Sequence, residues 1–162
     1  MLPSDKVVLW ITLLVTVPLT INAQVPSSEL HKTLKSKDSL IFHISFSTCE
    51  ISDLEPLISQ DIEFYHDQSG TLIGYTAFTE NLKNGLCANP GQTRRQLQEG
   101  SLEVYPLYEN GTLYGALQNG VHSFYQKNPE GESLGSVARF SHLWLLQEEE
   151  WKLSRVISFD HQ

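Results

Sequence analysis

The chain has 162 residues, of which 40% are hydrophobic, and this is the size of one domain with a single core. Its formal net charge of −8 argues against nucleic acid and anionic membrane surfaces as partners, because both are negatively charged. We therefore expect one acidic globular domain.

The N-terminal segment has the pattern of a secretory signal peptide. An apolar run at residues 7–21 follows Lys6 and precedes the small residue Ala23, and it is too short to span a bilayer comfortably. We predict a signal peptide over residues 1–23, a domain over residues 24–162, and a secreted or periplasmic protein without membrane association after cleavage. An uncleaved membrane anchor and a cytosolic protein are the alternatives.

Helical periodicity dominates the first half of the chain. The predicted elements are a long helix over residues 30–47, a short helix to residue 59, a strand over 61–67, a return strand at 72–74 and a helix from residue 76. Ser52 and Glu55 have the spacing of a capping box, which predicts the start of the short second helix. Apolar side chains at helical spacing, Phe78, Leu82 and Leu86, give the third helix one buried face.

The second half of the chain carries strand signals. The predicted strands cover residues 94–107, 113–126, 136–147 and 151–160. Gly100 and Pro106 interrupt the first of them, where a bulge or an edge position would accommodate both residues. Helices followed by a meander of strands predict an α+β fold, with a curved, mostly antiparallel sheet of roughly four to six strands wrapped around the N-terminal helices.

The last predicted strands form a hairpin with a turn at Glu148 and Glu149. A regular register would place Trp144 opposite Leu153 and His142 opposite Arg155. One face then holds aromatic side chains together with two imidazoles and a guanidinium. Such a face either packs its polar groups against buried partners or lines a cavity with a polar end, and the sequence leaves both interpretations open.

The amino-acid sequence of this hairpin resembles that of the closing hairpin of the nuclear transport factor 2-like (ketosteroid isomerase-like, SnoaL-like) superfamily. It is similar, more narrowly, to small secreted bacterial proteins of that superfamily. The resemblance covers residues 30–161 and includes the segments DIEFYHDQSG at 61–70 and YGALQNGVHSFY at 114–125. It implies a cone-shaped, cystatin-like roll. It implies no single activity, because isomerases, dehydratases, cyclases, carriers and binding proteins share this scaffold.

The first functional hypothesis is a small-molecule-binding pocket between the sheet and the helices. Small residues, Ala116 and Gly120, leave space beside Gln118 and His122, as a cavity wall requires, although ordinary core packing explains them equally well. The expected ligand is small and apolar or partly polar. The predicted ligand-binding residues are Tyr65, His122, Phe124, Phe140, His142, Trp144 and Arg155.

The second hypothesis is a cofactor-free isomerase or lyase. The segment HDQSG resembles the strand end where ketosteroid isomerases carry a carboxylate base, and Asp67 is the matching position. Such a base needs apolar surroundings and an oxyanion partner, for which the candidates are Tyr65, His122 and His142. The first helix lacks the matching tyrosine and offers Asp38, His43 and Ser45 instead. Alternatively, Asp67 is an ordinary turn residue.

A third hypothesis is a partner-binding module, such as a homodimer, whose core is filled by its own side chains. We expect no cofactor and no metal, because the six histidines are not spaced as ligands with carboxylates. Cys49 and Cys87 end the first and third predicted helices. An even pair in an exported chain suggests a disulfide, with two separate buried thiols as the alternative.

Overall fold

A computed structural model describes residues 27–162. The predicted signal peptide at residues 1–23 lies outside the described residues. Within them, no helix is both long and apolar enough to cross a membrane. The described residues form two α-helices, three short helical turns and seven β-strands.

The elements follow the predicted order, with helices first and strands after them. Their bounds are α1 Ser27–His43, a π-helical turn Ile44–Thr48, a 3-10 turn Ile51–Leu54, β1 Ile58–His66, β2 Gly70–Ile73, α2 Tyr75–Asn84, a 3-10 turn Leu86–Ala88, β3 Thr93–Leu97, β4 Glu103–Glu109, β5 Thr112–Asn128, β6 Gly131–Gln147 and β7 Glu150–Phe159.

All seven strands belong to one mixed sheet in the order β2-β1-β7-β6-β5-β3, and β4 also pairs with β5. The β1–β7 pair is parallel and the others are antiparallel. The predicted strand at 94–107 is two strands, β3 and β4, separated by a loop in which Gly100 has a φ of +73°. The predicted α+β fold with a curved, mostly antiparallel sheet is confirmed, with seven strands instead of the expected four to six.

The predicted second helix is wrong over its last part, because β1 already begins at Ile58. The 3-10 turn before it begins after Glu50 and has no side-chain capping bond, so the predicted capping box of Ser52 and Glu55 is wrong. Pairing of Ile58 with Leu153 of β7 overrides the local helix signal here. Helix α1 ends at His43, and the π-helical turn Ile44–Thr48 continues the predicted first helix to about residue 47 and is closed by Cys49 in the left-handed conformation.

The core lies between the inner face of the sheet and the helices. Its largest fully buried side chains include Trp144, Phe140, Leu34 and Ile62. Gly120 on β5 has a structural reason to lack a side chain. A Cβ atom at this position would lie 2.7 Å from the Phe140 ring, so glycine is what lets this ring lie flat against the sheet.

The β6–β7 hairpin begins in the predicted register and then departs from it. Trp144 pairs with Leu153 as predicted, but a bulge at Ser154 follows, so Arg155 pairs with Leu143 and His142 with Val156. The predicted pairing of His142 with Arg155 is therefore wrong. One extra residue in β7 rotates Arg155 to the outer face of the sheet.

Candidate functional site

A cavity of about 410 Å³ lies between the inner face of the sheet and the two helices. This volume is in the range of small-molecule sites. Most of its walls are aromatic and aliphatic, and polar groups are concentrated at particular places. The aromatic and large aliphatic lining residues are Ile41, Phe42, Phe46, Phe64, Phe78, Leu82, Leu86, Phe124, Phe140, Trp144, Leu153 and Val156, and the ionisable ones are Asp38, His66, His122, His142 and His161.

Five of the seven predicted ligand-binding residues line this cavity: His122, Phe124, Phe140, His142 and Trp144. Tyr65 does not line it. Strand alternation turns Phe64 and His66 inward and Tyr65 outward, where its side chain is 39% exposed and its hydroxyl bonds to Glu63.

Arg155 also lies away from the cavity. It forms ion pairs with Asp61 at 3.5 Å and Glu63 at 3.2 Å, both on the outer face of β1. The bulge at Ser154 is the physical reason for this difference from the prediction. The buried guanidinium on the inner face of the sheet belongs to a different arginine.

That arginine is Arg95 on β3, which donates from Nη1 to Asp38 Oδ2 at 2.7 Å. The Arg95 and Asp38 side chains are 4% and 0% exposed. The Arg95 guanidinium also lies 3.6 Å from the centroid of the Phe42 ring, a cation–π contact. Burial raises the pKa of Asp38 above its ordinary value, while the charge of Arg95 opposes the shift. When both groups are ionised, the carboxylate of Asp38 and the guanidinium of Arg95 together carry no net charge.

Arg95 also fixes the proton position of His122. Its Nε donates to His122 Nδ1 at 3.1 Å, and because a guanidinium only donates, the imidazole proton must lie on Nε2. Burial, followed by the charge of Arg95, lowers the pKa of His122 to about 3, so the ring is neutral. Among residues 27–162, the buried Nε2 has no hydrogen-bond partner. His122, a residue of the cavity lining, thus has a buried N–H donor without an acceptor.

His142 is held in the opposite tautomer. Its Nδ1 lies within hydrogen-bond distance of Gln118 Oε1, at 3.3 Å, and it lies 3.4 Å from Asp38 Oδ1, an oxygen that has no hydrogen-bond partner among residues 27–162. Trp144 Nε1 donates to the same Gln118 oxygen at 2.8 Å, which fixes the orientation of the amide. The proton of His142 therefore lies on Nδ1, and Nε2 keeps its lone pair. Burial lowers the pKa of His142 well below its ordinary value, so this ring is neutral too.

Arg95 was not among the residues predicted from the sequence, and Asp38 was predicted only as a polar residue of the first helix. A signal existed for each residue. Asp38 falls on the buried stripe of α1 between Leu34 and Ile41, and Arg95 lies opposite Phe124 on β5, diagonal to His122. A charged residue on a buried face requires a buried partner, and each of these residues supplies the partner of the other.

Asp67 lies outside the cavity lining, immediately after β1. Its Oδ2 accepts from the backbone N–H of His161 at 3.2 Å, and its Oδ1 lies 2.6 Å from His161 Nδ1. Desolvation is the largest single influence on Asp67 and acts to raise its pKa, but the hydrogen bonds and charge of His161 together outweigh it, and the pKa falls below its ordinary value. A proton-abstracting base needs the reverse shift, so the structure does not place Asp67 as the base.

His66, Asp67 and His161 come together at one edge of the cavity, where their potential metal-binding atoms lie within 4.8 Å of one another. The sequence prediction of no metal did not foresee this grouping. His66 Nδ1 already accepts from the backbone N–H groups of Gln68 and Ser69, and the His66 and His161 rings stack with centroids 4.2 Å apart. The side chains of His66, Asp67 and His161 thus already have hydrogen-bond or stacking partners among residues 27–162.

A disulfide joins Cys49 to Cys87, with the Cα atoms 5.6 Å apart. It links the end of the π-helical turn to the 3-10 turn after α2. Of the two alternatives for these cysteines, the structure contains the bridge. Phe46 and Leu86, close to the two half-cystines, both line the cavity, so the bridge holds one of its walls.

No protein-family model and no curated protein sequence matches the chain. Solved structures do match it. A nuclear transport factor 2 (NTF2-like) superfamily protein from Salmonella enterica is 15% identical, with a TM-score of 0.61, over 83% of this chain and 92% of that one. The association domain of C. elegans CaMKII is 11% identical, with a TM-score of 0.63, over 82% and 96%.

An NTF2-like protein with a cystatin-like fold from Novosphingobium aromaticivorans is 13% identical, with a TM-score of 0.65, over 81% of both chains. Identities this low show the fold and nothing about activity. The fold implied by the closing hairpin is confirmed: the chain has the nuclear transport factor 2-like, cystatin-like fold.

Proposed function

We propose that this chain binds a small, neutral, mostly apolar molecule that carries an oxygen acceptor such as a carbonyl. The observation that carries the proposal is the buried Nε2–H of His122, which has no acceptor among residues 27–162, in a residue that lines a cavity with mainly aromatic walls. An unmade hydrogen bond at a buried donor is costly, and a ligand acceptor would remove that cost.

The charge of the site favours a neutral ligand. Asp38 and Arg95 neutralise each other, and His122 and His142 are uncharged at neutral pH. A charged ligand would lose its hydration without gaining an unpaired counter-ion, which is strongly unfavourable in an apolar cavity. The walls formed by Phe42, among other aromatic rings, stabilise an apolar body instead.

We also propose that the protein acts outside the cytoplasm, as a secreted or periplasmic protein. Two observations support this. Residues 7–21 have the composition of a signal peptide, and the Cys49–Cys87 bridge belongs to a type of bond that persists in oxidising compartments.

A matched ligand pair tests the binding proposal. Benzophenone and diphenylmethane have similar apolar bodies, and only the first has a carbonyl oxygen. By isothermal titration calorimetry we expect benzophenone to bind about tenfold more tightly, as one hydrogen bond would give. His122→Phe should abolish this difference, whereas the control Tyr65→Phe, on the outer face, should preserve it. Equal binding of both ligands to the native protein would contradict the proposal.

Intrinsic fluorescence gives an independent readout of the same cavity. Trp144 lines it and is fully buried, and Trp151 is the only other tryptophan of residues 24–162. In a Trp151→Phe background, benzophenone should quench Trp144 saturably, with the dissociation constant found by calorimetry. Absence of saturable quenching would place the ligand elsewhere.

Self-association is a second candidate function, favoured by apolar side chains on the outer face of the sheet. Tyr105, Leu117 and Leu143 lie side by side across β4, β5 and β6, and Tyr105 is 48% exposed. One similar structure is itself an association domain. Sedimentation velocity should then show a dimer that Leu143→Glu dissociates, while a monomeric native protein would remove this candidate.

A further inference from the structure

Ser158, His161 and Asp67 form a continuous hydrogen-bonded array at the edge of the cavity. His161 Nδ1 lies 2.6 Å from Asp67 Oδ1, and His161 Nε2 lies 3.4 Å from Ser158 Oγ. Ser158 and His161 both line the cavity, and Ser158 is buried. The order nucleophile, imidazole and carboxylate is the order that a nucleophilic serine requires.

The backbone holds His161 in this position. Asp160 has a φ of +60°, which turns the chain back after β7. The His161 backbone N–H donates to Asp67 Oδ2 at 3.2 Å, and the Asp67 N–H donates to the Ser158 carbonyl at 3.1 Å. Gln162 then exchanges two backbone hydrogen bonds with Val137. The imidazole is therefore fixed from both sides, as an orienting frame requires.

The carboxylate determines the tautomer of His161. Because Asp67 accepts from Nδ1, the lone pair of the neutral imidazole lies on Nε2, on the side of Ser158. Stacking of the His161 ring on His66 restricts its rotation further. The 3.4 Å separation from Ser158 Oγ is longer than a tight hydrogen bond, which is common in sites without substrate.

We propose that Ser158, His161 and Asp67 are a serine-hydrolase triad acting on a carboxylic ester held in the cavity. Ser158 Oγ attacks the ester carbonyl carbon while its proton passes to His161 Nε2. The tetrahedral intermediate breaks the bond to the alcohol oxygen, which leaves with the proton from His161. Water then attacks the acyl-serine, gives a proton to His161, and releases the carboxylic acid as the Ser158 hydroxyl recovers that proton.

This inference rests on the proposed function, because the ester must enter the same cavity as a neutral molecule with oxygen acceptors. Phe64, whose neighbour His66 stacks on His161, and Phe140, which pairs with Ser158 across the sheet, provide apolar wall close to the nucleophile. Esters with apolar acyl or alkyl groups are therefore the substrate class.

The test uses the native protein with its disulfide intact. Diisopropyl fluorophosphate forms a bond from serine oxygen to phosphorus and releases fluoride. Intact mass and peptide mapping should show one adduct per chain, at Ser158. Ser158→Ala should abolish the adduct, and the matched control Ser141→Ala, a serine on the outer face of β6 bonded to Asn119, should keep it. No adduct on the native protein, or an adduct at another serine, would overturn the proposal.

Turnover of p-nitrophenyl butyrate gives the second readout. Ser158→Ala and His161→Gln should each lower kcat about 10³-fold or more, and Asp67→Asn should lower it by a similar factor. Ser158→Ala turning over the ester as fast as the native protein would overturn the triad.

Benzophenone binding, measured on the same variants, separates the two proposals and checks folding. A Ser158→Ala variant that binds benzophenone like the native protein is folded. A native protein that binds benzophenone but is not labelled at Ser158 would refute the triad alone. Labelling of Ser158 in a protein that binds no ketone would refute the binding proposal alone.

Discussion

Arg95 Nη1 lies 2.7 Å from Asp38 Oδ2, and this contact ties β3 to α1 across 57 residues of sequence. Removing two charges from water is costly, and only their mutual attraction and hydrogen bonds offset that cost. The pair has a further consequence for the cavity. Because the same guanidinium donates to His122 Nδ1, it determines which imidazole atom carries the proton.

Removing either member of this pair should destabilise the protein strongly. Asp38→Leu leaves the Arg95 charge buried and unpaired, and we expect the free energy of unfolding to fall by about 3–5 kcal/mol. Arg95→Met should cost a comparable amount. The double variant should lose less than either single one, because it leaves no unpaired charge. Equilibrium urea unfolding of the four proteins measures these differences.

Arg94→Met is the matched control for that experiment. Arg94 is the neighbour of Arg95, but its ion pair with Glu132 is largely exposed and screened by water, so its loss should change the free energy of unfolding far less than the loss of Arg95. Additive losses in the Asp38 and Arg95 double variant would show that the two side chains do not act as a pair.

The buried histidines should make the protein less stable in mild acid. His122 has a pKa of about 3 in the folded protein and an ordinary value of 6.5, and burial lowers the pKa of His142 as well. Below about pH 6.5 the unfolded chain therefore binds two protons that the folded protein does not. Stability should be constant near pH 7.5 and fall as the pH drops from 6.5 towards 4, approaching about 1.4 kcal/mol per pH unit for each histidine.

Urea unfolding as a function of pH measures this slope. His122→Gln removes one of these proton uptakes and should reduce the slope by up to about 1.4 kcal/mol per pH unit. Asp38 acts in the opposite direction, because a raised carboxyl pKa favours the folded state as its own proton binds. Stability that stays flat between pH 7 and 5 would show that both imidazoles bind protons in the folded protein.

Strand alternation explains why much of the cavity could be predicted. On β5 and β6 the period of two holds without interruption through the central residues, so Phe140, His142 and Trp144 share the inner face with His122. These predictions required only knowing which alternate residues of each strand face the core. Neighbouring strands in the sheet then brought the residues together.

The alternation failed where a bulge interrupts a strand. The sequence around Ser154 continues the apolar and polar pattern of β7 and contains no residue that marks an irregularity. The neighbouring β1 is irregular at the same level, between Ile58 and Glu63. The Arg155 guanidinium bonds to the Ser154 carbonyl and hydroxyl. These are contacts of the assembled sheet, so periodicity within one strand could not reveal them.

Arg155 should consequently be dispensable for ligand binding. Its partners, Asp61 and Glu63, are on the outer face, and its side chain is partly exposed. Arg155→Gln should change the dissociation constant of benzophenone less than about twofold and the free energy of unfolding by about 1 kcal/mol or less. The regular hairpin register, with Arg155 beside His142, predicts loss of binding instead, and calorimetry distinguishes the two.

The Cys49–Cys87 bridge should contribute substantially to stability and keep one cavity wall in place. Its half-cystines are 38 residues apart. In the entropic model, closing a loop of this length raises the free energy of the unfolded chain by about 4 kcal/mol. Reduction should therefore lower the urea midpoint, and benzophenone affinity should fall because Phe46 and Leu86 lose their tether.

The double variant Cys49→Ser, Cys87→Ser should resemble the reduced protein and be insensitive to dithiothreitol. Thiol titration of the denatured, unreduced protein should find no free thiol, and two thiols per chain would contradict the bridge.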